Sequence, residues 1–374
     1  MKLLAVAGDI DSLIAGIRLV TPLKVLAAEP GWSLVLRSFH DCRRADLLAA
    51  DVLIVQRADT RRVWRLERSM QRRGGAVVYE IDDLLTDVPP HISNHAASRA
   101  RLRWLQRCLT AADVVTVSTG RLASELGATD AVVVPNCALP LGDEPLPAAD
   151  AALPVTLLLA SMERLATAFI YPALKALEGP GVQVVVVGPA GAGFAAAGVA
   201  VQQVPLMPRA QFVRYARALP NPLAVIPLEN SRFAACKSAI KWFEYAEAGV
   251  PVVCSNVSPY CEVVEDGVSG RLVPNDAAAW QAALRGAIED SAWRQRVASR
   301  ARATVRAHHT LGHSVAAWRW ALAEALQRRA AAGRLRLSWA ARVGDVLADA
   351  FDGLLIGLRR LNRRRLTRRH LKRR

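Results

Sequence analysis

The sequence has few cysteines for its length: six, at positions 42, 108, 137, 236, 254 and 261, none in a CxxC pair and none beside a histidine cluster at zinc-finger spacing. That excludes the common structural zinc sites. A chain of 374 residues needs no disulfide framework, so reduced, buried thiols in a cytosolic protein are expected. No run of about 20 uncharged apolar residues occurs, so no membrane-spanning helix is expected. The opening MKLLAVAGDID breaks at Gly8 and Asp9, too early for the core of a signal peptide. There is no GxSxG elbow and no P-loop. His91 and His95 stand four apart, but no carboxylate joins them in a zinc-enzyme pattern.

What is present suits two ordinary domains. Hydrophobic residues make up 52% and charged residues 22%, enough to build cores and too few charges for wholesale disorder. The net charge of +16 is uneven. Residues 334–374 hold 13 Lys or Arg against 3 Asp, so the tail carries +10 and the other 333 residues only +6.

Short apolar runs alternate with longer amphipathic stretches. Residues 2–7, 33–36, 52–56, 76–81, 113–117 and 131–134 read as buried strands, with helices over about 17–28, 60–73, 93–111 and 120–126 between them. Strand–helix alternation of this kind predicts a parallel sheet covered on both faces. Residues 135–154 then contain five prolines and no periodicity. The pattern restarts with strands at 155–160, 182–187, 199–204, 223–227, 251–254 and 271–273, and helices over 164–177, 208–218, 237–248, 260–265, 276–289 and 291–307. Residues 308–330 predict a further long helix, with Trp318, Trp320, Leu322 and Leu326 spaced for burial. The domains expected are 1–140, a linker at 141–154, 155–307, a long helix at 308–333 packing back on the first domain, and a tail at 334–374. In the tail, Leu347, Phe351, Leu354, Leu358 and Leu361 form one helical face ahead of ten Arg or Lys in 359–374. Such a helix over 343–374 suits an anionic membrane surface; a solvated basic tail and a nucleic-acid contact are the alternatives, and no nucleic acid is expected.

The most informative stretch is 223–276. A strand ends at Pro227 and a loop leads to a helix expected to start near Lys237. In open α/β sheets ligands bind at the carboxyl ends of strands, and a helix N-terminus there favours phosphate. Lys237 and Ser238 are expected in the first turn and Lys241 one turn on. Glu244 follows on the same face, a carboxylate for a ribose diol. A plain surface helix with a Lys–Glu pair is the alternative.

The run K-S-x-x-K-x-x-E-Y-A-x-x-G-V-P-V-V-x-S, followed by Y-x-E-V-V-x-D-G-x-x-G-x-L-V, resembles the donor-binding half of GT-B retaining glycosyltransferases of the family 4-like group. Weaker resemblances to the same group lie at Ser12–Arg18 with Pro22, at Tyr79–Leu85, at Ala112–Thr119 and at Val134–Asn136. The resemblance implies two Rossmann-like domains facing a cleft. It implies a nucleotide-sugar donor, retention of configuration, a glycan or lipid-linked acceptor, and no cofactor or metal. It implies that Glu244 accepts from the ribose hydroxyls and that Lys237 and Ser238 meet the diphosphate or the sugar. Ser161, Arg164 and Lys241 are further donor-side candidates, and Asp11 and Arg18 acceptor-side ones. Asp82 or Asp83 orients or deprotonates the acceptor hydroxyl; capping of the next turn is the alternative. Asp9-Ile10-Asp11 spells a DxD triplet that holds metal in other glycosyltransferases, but its place after the first strand reads as loop capping.

Two departures stand out. The first of two glutamates spaced eight apart in many family 4 enzymes falls on Cys236, and the Phe-Asn that often precedes Lys-Ser is Phe233-Ala234 here. Both remove polar donor-sugar contacts. The expected function is a cytoplasmic glycosyltransferase of the hexosyltransferase type, peripheral to the membrane, in cell-surface polysaccharide biosynthesis. A degenerate, non-catalytic membrane-associated scaffold and a GT-B-fold sugar-nucleotide epimerase are the rivals.

Overall fold

A computed structural model describes residues 1–92, 95–142, 144–161 and 168–332. Two six-stranded sheets, every pairing parallel, follow one another along the chain. The first contains β1 (Lys2–Ala7), β2 (Ser33–Ser38), β3 (Val52–Gln56), β4 (Ala76–Ile81), β5 (Val114–Val117) and β6 (Val132–Val133), in the order β2-β1-β3-β4-β5-β6. The second contains β7 (Val155–Ala160), β8 (Val182–Val187), β9 (Gln202–Val204), β10 (Pro222–Ile226), β11 (Val252–Ser255) and β12 (Arg271–Val273), in the order β12-β11-β10-β7-β8-β9. Fold class and doubled architecture are those expected from the strand–helix alternation.

Period-two alternation explains the layering. Leu4, Val6, Leu53, Val55, Val77 and Tyr79 point to one core of the first sheet, and Leu3, Ala5, Val52, Ile54, Ala76 and Val78 to the other. With helices on both sides, every strand residue from Leu3 to Ala7 and from Val52 to Gln56 is buried. Two short helices, Arg44–Ala49 and Gly191–Ala196, lie in stretches where no helix was expected.

The long helix Leu311–Ala332 packs on the first sheet, with Trp318, Ala321, Leu322 and Ala325 buried beside β4, β5 and the helix Thr21–Ala27. Trp320 is a correction: it is 57% exposed, because a two-residue step from Trp318 rotates it by about 200° to the outer face.

The stretch between the sheets is clamped by charge. Glu247 accepts from the Leu141 amide at 3.1 Å and pairs with Arg306 at 2.9 Å, and Arg302 donates to the Glu144 carbonyl at 2.7 Å. Gly249, at φ +73°, closes the helix Ile240–Ala248; a Cβ there would meet Leu146 and Pro147 at 2.6 and 2.9 Å. His309 stacks on Phe243 with centroids 4.2 Å apart, while its carbonyl accepts from the Ala138 amide at 2.9 Å. Burial, helped by His308 and His313, pushes the His309 imidazole down to about 4 from 6.5. Between those values the unfolded chain takes up a proton that the folded chain refuses, so stability is expected to fall as pH drops from 6.5 to 4. Discounted for partial exposure, the loss is roughly 1–2 kcal/mol. Melting curves across this range check it: His309→Phe, which keeps the stack, should flatten the dependence, and an unchanged slope contradicts it.

Candidate active site

The carboxyl edges of the two sheets face each other, and the residues that meet there come from strand-end loops. Arg57 follows β3 with φ 49°, a left-handed conformation a long side chain seldom adopts. Its amide donates to the Glu80 carbonyl at 2.9 Å. Its guanidinium spans both acids after β4, donating to Asp82 and, at 2.5 Å, to Asp83. Asp83 also receives Lys237 Nζ at 3.3 Å, so an ion pair crosses between the two domains. Burial alone raises the Asp83 carboxyl, but Lys237 and Arg57 together outweigh it and hold the group below its ordinary value. Lys237 Nζ lies over the Phe233 ring, 4.5 Å from the centroid.

A second crossing lies beside the first. Arg18, buried in a π turn over Gly16–Val20, donates from Nε to Glu80 Oε1 at 2.6 Å. Its Nη1 donates to the Val134 carbonyl at 2.6 Å and to Asn136 Oδ1 at 2.8 Å. Asn136 Nδ2 then donates to Ser238 Oγ at 2.6 Å. Gln56 donates to the other Glu80 oxygen at 2.9 Å, and burial, opposed by Arg18, raises the Glu80 carboxyl. In a third crossing Thr119 caps the helix Gly120–Glu125, its Oγ1 accepting from the Leu122 amide at 3.1 Å while donating to the Cys236 carbonyl at 3.0 Å.

Several expectations need correction here. Lys237 and Ser238 are not in the first turn of a long helix. A four-residue helix, Arg232–Ala235, comes first, and the next, Ile240–Ala248, begins after Ala239. The two residues sit in the link between them, which leaves their side chains facing the first domain. Phe233 and Cys236 are buried in the first domain's core, and burial pushes the Cys236 thiol up to about 11. The position matching the family's first glutamate is thus interdomain packing. Arg18 is 2% exposed and holds the domain interior together, so it is not on an open acceptor face. Asp11 is exposed; its amide bonds Asp9 Oδ1 at 3.0 Å within the loop. Cys261 is exposed, unlike the other five cysteines.

Glu244 faces Arg209, which donates to its Oε1 and also to the Cys137 carbonyl. Burial raises the Glu244 carboxyl against the pull of Arg209 and then Lys241. Its side chain is 12% exposed. Ser161 follows β7, where its carbonyl lies 2.2 Å from a Cβ built on Gly188 at φ +102°; only glycine lets the β7 and β8 ends come so close. Arg164 and the basic tail from residue 333 lie outside the described residues.

Arg57, Asn136, Thr119 and Arg209 were not singled out in the sequence as site residues. Arg57 follows β3 directly and Asn136 lies three residues beyond β6, and position past a strand's carboxyl end was the available signal. Arg209 carried none, because its partners lie 35 and 72 residues away.

Residues 165–319 match the family model described as glycosyl transferase-like. With two parallel sheets meeting at their carboxyl edges, the architecture is settled. This is a GT-B fold, and strands β8 to β12 of its second sheet lie in the part of the chain that matches the glycosyl transferase-like model. The chain is similar in structure to Anabaena Alr3699/HepE in complex with UDP and glucose, at 16% identity, a TM-score of 0.59, and coverage of 86% of this chain and 99% of that one. It is similar to sucrose-phosphate synthase from Thermosynechococcus elongatus at 15% identity and TM-score 0.62, covering 86% and 98%. A glycosyltransferase from Rickettsia africae ESF-5 matches at 12% identity and TM-score 0.57, covering 87% and 98%. No curated protein matches the chain by sequence. In the GT-B fold described here, no group of three or more His, Cys, Asp or Glu among the described residues is arranged to hold a metal ion. No helix among them is long and apolar enough to cross a membrane.

Proposed function

We propose that this chain is a retaining glycosyltransferase that moves a hexosyl group from a nucleotide sugar to a hydroxyl of a glycan or lipid-linked glycan. The setting is cell-surface polysaccharide assembly at the cytoplasmic face of the membrane, with the basic segment 343–374 as its anchor. The observation that carries the reading is the meeting of Lys237 and Ser238 from the glycosyl transferase-like domain with Asp83 and Asn136 of the other across the cleft. Solved relatives of this fold hold UDP or UDP-glucose, which makes a uridine nucleotide the first donor to test.

In the proposed reaction the diphosphate displaces Asp83 from Lys237 and takes Lys237 and Ser238 as donors. Glu244 Oε2 accepts from the ribose while Arg209 holds Oε1. The bond from the sugar's anomeric carbon to the diphosphate breaks, the acceptor oxygen bonds that carbon on the same face, and the acceptor proton passes to Asp82 or Asp83. The nucleoside diphosphate leaves with its charge held by Lys237, usually the largest catalytic contribution in such a site. The proposed transfer uses no metal or other cofactor.

A melting-temperature screen of nucleotide sugars, begun with UDP-glucose, tests this. A true donor at hundredfold excess over Kd stabilises by about 2.7 kcal/mol, and Glu244→Ala should abolish most of that shift. A donor shift unaffected by Glu244→Ala would remove Glu244 from the site. The scaffold reading draws on the burial of Cys236 and the pairing of Lys237 with Asp83; it predicts no shift with any donor. Interconversion of donors without transfer would indicate an epimerase.

A further inference from the structure

The net charge of the sequence conceals a second basic region, folded and far in sequence from the tail. Residues 61–73 hold six arginines and 95–111 four, against one glutamate, Glu67, which is fully buried; of the six, Arg61 is exposed, Arg65 is buried, Arg68 bonds Gln71 and Arg73 donates to the Leu47 and Ala50 carbonyls. The helices Arg61–Arg72 and His95–Ala111 that contain these residues pack side by side. At their contact Trp64 and Trp104 meet with centroids 6.1 Å apart, both half-buried. Arg103 and Arg107 are exposed and lie over the Trp104 ring at 5.5 and 4.8 Å. Arg101, also exposed, pairs with Asp59 at 3.4 Å, in the loop after β3 that also carries Arg57. The basic face therefore begins beside the rim of the cleft.

We infer that this paired-helix face binds an anionic lipid surface. Arginines over half-buried indoles suit the headgroup layer, where the guanidinium donates to phosphate and the indole sits between apolar and wet surroundings. Charge complementarity commits the surface to an anionic partner: the helix His95–Ala111 has no acidic residue, and the one acid of its neighbour is sealed inside. A single-stranded nucleic acid fits less well, because base stacking needs a bare aromatic face and the Trp104 ring already carries two arginines. The inference stands apart from the donor chemistry proposed above. Together they turn the cleft mouth toward the bilayer.

The test is co-sedimentation of the full chain, without nucleotide, with phosphatidylcholine vesicles and with vesicles carrying phosphatidylglycerol at about a third of their lipid. Binding to the anionic vesicles alone, lost in about 1 M salt, is expected. Arg101→Gln/Arg103→Gln/Arg107→Gln should lower the partition constant by at least about tenfold with the tail intact. Should that variant fail to melt cooperatively, Trp104→Phe keeps charge and shape, and should lose part of the fluorescence quenching by brominated anionic lipid. Unchanged partition in the arginine variant, or unchanged quenching in Trp104→Phe, would overturn the inference and leave the tail as the contact. So would tighter binding to a single-stranded oligonucleotide than to the vesicles.

Discussion

Lys237→Ala is expected to slow sugar transfer on the order of a hundred- to a thousandfold, the usual cost of removing one preorganised donor from a developing negative charge. The structure adds a sharper expectation, because Lys237 in this state already has a counter-ion. Asp83 occupies it at 3.3 Å, so an incoming diphosphate must compete with a carboxylate of the opposite domain. Asp83→Asn removes the competitor but also one of the two acids proposed to take the acceptor proton. The variant should bind UDP-glucose more tightly, by up to about fivefold given that Lys237 is partly solvated, while transferring sugar more slowly. Donor titration and initial rates on the same preparation separate the two effects. Weaker donor binding in Asp83→Asn would mean that the carboxylate helps the donor, contrary to the exchange described here. An unchanged rate in Lys237→Ala would remove it from the reaction.

The second large effect concerns stability. Arg18→Met should cost about 3–5 kcal/mol at neutral pH, since it leaves a fully buried carboxylate at Glu80 without its cation. Burial already raises the Glu80 carboxyl while Arg18 opposes it, so removing Arg18 raises it further. A carboxyl raised on folding holds a proton that the unfolded chain has released. The variant should therefore be most stable at acid pH and lose stability as pH rises through the folded pKa. Arg18→Met/Glu80→Gln should recover more than half of the loss and flatten that dependence. Urea denaturation at several pH values reads both; a loss below about 1 kcal/mol would show that the pair contributes little. Asn136 connects Arg18 to Ser238, so Arg18→Met should also weaken donor binding.

Much of the architecture was legible because it rests on local patterns. Runs that are apolar but for one glutamine, such as VLIVQ at 52–56 and VQVVVV at 182–187, are buried on both faces except at Val182 and Gln183, and a parallel sheet between helix layers uses such runs repeatedly. The helix stop at Gly249 before β11 was readable for the same reason: a left-handed residue and an apolar run lie next to one another in the chain. The link at Lys237 and Ser238 was not. KSAIKW continues a helical composition, and what breaks the helix there is contact with the first domain, through Phe233, Cys236 and Thr119.

The sequence by itself determined the doubled strand–helix architecture and the strands with their order of appearance. Each is a property of neighbours along the chain: periodicity and turn residues. Only the tertiary structure decided that Asp83 faces Lys237, that Arg209 meets Glu244, and that Arg18 lies inside. Those pairs are separated by 154, 35 and, for Arg18 with Glu80, 62 residues, and no local pattern reports an encounter at that distance. Their geometry is set by strand order and by the docking of one sheet edge against another.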